Sequence, residues 1–100
     1  MTGRSKQQSL EELESALTAA DDAYEKAEAA FLTAVRAYGD RDALRQASRA
    51  VADAAHRCNE IAYKCFHIAT GERRSELDLL TEGTELLSDL WFDVANAYRE

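Results

Sequence analysis

The stretch HRCNEIAYKCFH, residues 56–67, contains both cysteines and both histidines of the chain and reads almost identically in either direction. On paper it suggests a metal site or a redox pair. On a helix, Cys58 and Cys65 stand one heptad apart, share a face, and are separated by about 10.5 Å along the axis. A disulfide needs Cα atoms within about 7 Å, so the two cannot bond within one helix. His56 and His67 point about 200° away from their neighbouring cysteines and lie about 16 Å apart, which excludes a His/Cys zinc site built from this helix alone. The cysteines therefore read as small buried hydrophobes, and they mark the inner face of the helix.

Working outward along that face, Leu44, Ala47, Val51, Ala54, Cys58, Ile61, Cys65 and Ile68 alternate spacings of three and four. That period is the signature of coiled-coil-like packing. An N-terminal pattern repeats it through Leu10, Leu13, Leu17, Ala20, Tyr24, Ala27, Phe31, Ala34 and Tyr38. A C-terminal one runs through Leu77, Leu80, Thr84, Leu87, Trp91, Val94 and Tyr98. There is no proline, and Gly39 and Gly71 fall where patterns stop, as expected of glycine just past a helix end. Ser9 with Glu12 forms a capping-box signature, and Ser75 with Asp78 a weaker one.

These signals predict helices near 9–38, 41–70 and 75–99, behind a flexible polar tail over 1–8. Short links make sequential helices antiparallel. The expected fold is therefore all-α: one domain over 9–100, an elongated antiparallel three-helix bundle with coiled-coil-like heptad packing, open to completion by dimerisation. Gly83 falls inside the third pattern, and a lone glycine costs only ~1 kcal/mol, so that helix should run through it. Alanines flank the first two seams. In an antiparallel hairpin with this turn, Ala30 should meet Ala50 and Ala37 should meet Ala43, drawing the helices together. In length and heptad layout the chain resembles spectrin-type repeats, but no motif of that family is present to carry a function across.

The net charge of −7 is unevenly shared. Residues 9–38 hold seven acids and two bases, and residues 71–100 hold eight acids and three bases, while 39–70 are nearly balanced. Such a surface repels phosphate backbones and anionic lipid, so neither nucleic acid nor membrane is the expected partner. No apolar run approaches the roughly 20 residues that span a bilayer, and the N-terminus holds no secretion-type segment. Two cysteines do not make a disulfide framework, and the expected setting is cytoplasmic.

Candidate chemistry is sparse. Asp53, His56 and Glu60 share one outward face and are the only weak metal candidates. Helix-surface pairing of Asp53 with Arg57, His56 with Glu60, and Glu60 with Lys64 is the preferred explanation of them. Arg41, Arg45, Arg49 and Arg57 form a basic strip, read as a complement to the acidic first and third helices. Glycine-rich phosphate loops, nucleophile elbows and zinc-protease signatures are absent, so no cofactor and no enzymatic activity are expected.

The third helix has more apolar residues than one seam uses. Leu79, Leu86, Leu90 and Ala97 make a second stripe, with Phe92 on neither, and Tyr63 and Phe66 lie outside the second seam. The expected function is a non-enzymatic helical interaction or structural module, self-associating as a homodimer or binding a protein partner. Its interaction residues would be Tyr63, Phe66, Leu79, Leu86, Leu90, Trp91 and Phe92. One alternative is a small acidic inhibitor, immunity protein or nucleic-acid mimic using Glu14, Asp21 and Glu28, which repeat every seven residues. A second is a metal-binding or catalytic bundle with its site at a subunit interface.

Overall fold

The structure, a computed structural model, describes residues 6–98, with side chains from residue 9 onward. Three helices form: α1 (Lys6–Arg36), α2 (Arg41–Ile68) and α3 (Gly71–Ala97). They pack into a bundle measuring 54 × 22 × 20 Å. Of the expected tail, residues 1–5 lie outside the described residues and 6–8 belong to α1. Ser9 and Ser75 therefore sit inside helices, and neither capping box marks a helix start. Asp40 caps α2 instead, its Oδ1 accepting the Ala43 N–H at 2.8 Å. α3 is continuous through Gly83.

The first turn uses left-handed backbone at a different residue from the one expected, and the second at the expected glycine. α1 ends in a Schellman arrangement: the Gly39 N–H donates to the Ala34 carbonyl at 2.9 Å and the Tyr38 N–H to Val35 at 3.1 Å. The left-handed residue there is Tyr38, with φ 54°, and not the glycine that follows it. Gly39 eases a close approach, since a Cβ would stand 3.1 Å from the Ala34 carbonyl oxygen. Between α2 and α3, Ala69 and Thr70 are extended, and Gly71 takes φ 62° as α3 begins. That conformation favours glycine.

The core lies where α2 meets both neighbours. Leu17 and Ala20 of α1, Cys58, Ile61, Ala62 and Cys65 of α2, Ala69 after it, and Leu77 of α3 form one buried cluster. The Cys58 thiol donates to Asp21 Oδ1 at 3.6 Å, linking α2 to α1. The alanine contacts expected in that hairpin do not form a buried ladder: Ala23, Ala30, Ala37, Ala43 and Ala50 are all exposed.

Small residues are used between α2 and α3 instead. Ser48, Ala52, Ala55 and Ala62 are buried on the side of α2 that carries Asn59, and Thr84, Ser88 and Ala95 are buried on α3. Asn59 Nδ2 ties this interface, donating to the Thr81 carbonyl at 2.8 Å and to Thr84 Oγ1 at 3.2 Å. Low side-chain volume at facing positions lets two backbones approach closely.

α1 and α3 meet differently. No Cα of one lies within 8 Å of a Cα of the other. Long side chains span the interval. The Trp91 indole N–H donates to the Tyr24 hydroxyl at 3.1 Å, and Phe31 packs edge-on against Trp91 with centroids 5.1 Å apart. Phe31 also meets Tyr98 at 6.4 Å, and Arg73 pairs with Glu14 at the other end. The bundle is therefore α2 flanked by two helices, one held close and one held at arm's length.

Candidate protein-interaction surface

The division of α3 into faces follows from its helical period. With Thr84, Ser88 and Ala95 turned toward α2, residues 79, 83, 86, 90 and 97 fall on an outward strip, spaced by four, three, four and seven. Leu79 is 70% exposed, Leu86 71% and Leu90 55%. Gly83 and Ala97 on the same strip are exposed too. A Cβ added at Gly83 would meet nothing within 4 Å, so the glycine leaves a shallow notch between Leu79, Leu86 and Leu90. Leu87, placed in the α3 seam by sequence, is also exposed at 37%, and buried Ser88 and Ala95 take the seam's place.

One border of this strip is acidic. From Ser75 to Ala97, α3 carries six acids and no lysine or arginine. Glu76 pairs with Arg73. The other five, Asp78, Glu82, Glu85, Asp89 and Asp93, are exposed and make no ion pair among the described residues.

The remaining expected interaction residues divide in two. Tyr63 stays outside, 52% exposed, with its ring edge-on to His67 at 4.4 Å. Phe66, Trp91 and Phe92 are partly buried and make contacts within the bundle. Phe66 packs on the core cluster beneath the Arg74 guanidinium, 4.4 Å from its ring. Phe92 is partly buried with Arg49 5.2 Å above it, and Trp91 serves as the α1–α3 spacer. Leu32 and Val35 of α1 are further exposed apolar residues.

The other candidate sites dissolve into local pairing. Asp53 is bound by Arg49 at 3.4 Å and not by Arg57, while His56 and Glu60 sit 3.9 Å apart. Among the described residues, no three histidines, cysteines or carboxylates converge as a metal site. The basic strip neutralises its own helix, with Arg45 on Asp42 at 2.7 Å and Arg49 on Asp53. The ion pair that does join acidic α1 to α3 is Arg73–Glu14. A hollow of about 390 Å³ opens beside Arg45, Arg49, Asp53 and Asn96, but both of its arginines already have these carboxylate partners.

Glu14, Asp21 and Glu28, expected as an acidic stripe, are each engaged within the molecule: by Arg73, by the Cys58 thiol and by the Tyr24 hydroxyl. Both cysteines are free and buried. Desolvation, with the Asp21 carboxylate second, pushes the Cys58 thiol up from its ordinary value of 9.0 to about 11. Burial, with Glu14 second, raises Cys65 as well. Neither has the depressed pKa of a nucleophilic thiol. No described helix is long and apolar enough to cross a membrane.

No protein family, curated protein or solved structure matches this chain. What it does is therefore read from its own surface.

Proposed function

We propose that this chain is a non-enzymatic helical interaction module whose docking surface is the outer strip of α3. One observation carries the reading: Leu79, Leu86 and Leu90 stand exposed in heptad register around Gly83, although the bundle is complete without them. A large aliphatic side chain gains roughly 1.5–3 kcal/mol when fully buried, so three leucines on one strip represent a substantial unused driving force for association. Gly83 supports the same reading. A glycine in an exposed helix interior lowers helix stability by about 1 kcal/mol relative to alanine and serves no contact within the bundle. It would serve close approach by a second helix.

Alternation of three and four along the strip suits a helical partner packed by knobs into holes. The acidic-inhibitor reading is weaker in its original form, because its three heptad acids are tied to internal partners. The test is site-specific photo-crosslinking in native extract, with the photoreactive residue at Leu86 or at the exposed control position Ala30. The reading predicts a discrete adduct at 86 and none at 30. Equal labelling at both positions would overturn it.

A further inference from the structure

We infer that the occupant of the α3 strip is an amphipathic helix whose apolar face is bordered by lysine or arginine, and not a second copy of this chain. The inference rests on the strip being a docking surface, and it adds the chemistry of the partner. The argument is charge complementarity. A helix laid along Leu79, Gly83, Leu86, Leu90 and Ala97 runs about 27 Å beside α3, so its border residues face those of α3. On α3 that border is Glu82, Asp89 and Asp93, with Asp78 and Glu85 one step farther round, and none of these has a cation to satisfy it among the described residues.

Two copies of α3 joined antiparallel through this strip would set this acidic border against the same border of the second copy. Like charges juxtaposed across an interface oppose association. Arg45, Arg49 and Arg73 do not rescue that arrangement, since each is held by a carboxylate of its own molecule. A partner with cationic borders removes the repulsion and turns it into attraction. It also fits the notch at Gly83, where one large apolar side chain of the partner would seat between Leu79, Leu86 and Leu90. Association steered by exposed charge weakens as salt rises, because screening acts over about 10 Å at moderate ionic strength.

The test uses the full chain and two synthetic probes of about 24 residues, long enough to match the strip. Both carry leucine in heptad register; one has lysine and the other glutamate at the flanking positions. Each is labelled with fluorescein, and binding is followed by anisotropy at low and high salt. The lysine probe should bind wild-type protein at least about tenfold more tightly than the glutamate probe, and less tightly in high salt. Glu82→Lys/Asp89→Lys/Asp93→Lys should invert the preference. Leu86→Ser/Leu90→Ser should weaken the lysine probe by about tenfold or more while leaving the circular dichroism spectrum unchanged.

Equal binding of the two probes, with the leucine variant still impaired, would overturn the basic-partner inference and leave the docking surface standing. Undiminished binding to the leucine variant would overturn both. Sedimentation equilibrium showing a wild-type dimer that Leu86→Ser/Leu90→Ser dissociates would install the second copy as occupant and refute the inference.

Discussion

The two faces of α3 contrast in a way that composition would not suggest. The face against α2 carries threonine, serine and alanine and is buried; the face turned outward carries leucines and is exposed. Volume explains the first. Thr84, Ser88 and Ala95 meet Ser48, Ala52, Ala55 and Ala62, and small side chains allow the close approach that fills space without large groups. Hydrogen bonding makes their polarity tolerable: Thr84 donates to the Leu80 carbonyl at 2.9 Å, Ser48 to Arg45 at 3.0 Å, and Asn59 bridges to α3. Among the described residues, no buried side-chain nitrogen or oxygen lacks a partner. The outer face has leucines with nothing over them. Packing holds the inner face, and the outer face is left for other use.

Substitutions that separate the faces should differ sharply. Leu77 is fully buried at the head of α3, so Leu77→Ala should cost the most, about 3 kcal/mol in urea unfolding. Ala62→Leu inserts volume where small residues meet and should cost about 1–3 kcal/mol by the same measurement. A loss there below that of a surface change would mean the two helices are not closely packed.

The alkaline limb of the stability curve probes the same interior. The Cys58 thiol is neutral when protonated, and its pKa rises on folding from 9.0 to about 11. The unfolded chain therefore loses its proton first. The stabilisation is complete below pH about 9 and is lost as pH rises through about 11. Cys58→Ala should flatten that decline, measured as urea midpoint against pH. Cys65 and Tyr24 shift in the same direction and supply what decline remains.

The smallest effect, of opposite sign, belongs to the outer face. Gly83→Ala adds a Cβ into open space and removes a flexible helical residue, so it should stabilise the protein by about 0.5–1 kcal/mol. A destabilisation would show that the notch is filled within the molecule.

Much of this was legible in residue spacing. Heptads located three helices, the cysteines marked the inside of α2, and a surplus leucine stripe was visible on α3. The α2–α3 interface was not legible, because alanine and serine carry little periodic signal and close packing depends on which residues they face. Alanines misled for the same reason: Ala30, Ala37, Ala43 and Ala50 had the right period and ended on the outside. Trp91 and Phe92 looked like binding anchors on size alone. Only tertiary structure revealed that Trp91 spans the gap to α1 and that Phe92 lies beneath Arg49. At the first turn, glycine drew attention, yet Tyr38, 94% exposed, adopts the left-handed backbone.

The claim that α3 has one structural face and one spare face is tested most directly by the urea stability of Leu79→Ser/Leu86→Ser/Leu90→Ser. Exposed sites change stability by about 0.5 kcal/mol or less each, so the triple variant should stay within about 1.5 kcal/mol of wild type and unfold with the same steepness. A loss of about 5 kcal/mol or more, the size expected when buried leucines are removed, would contradict it.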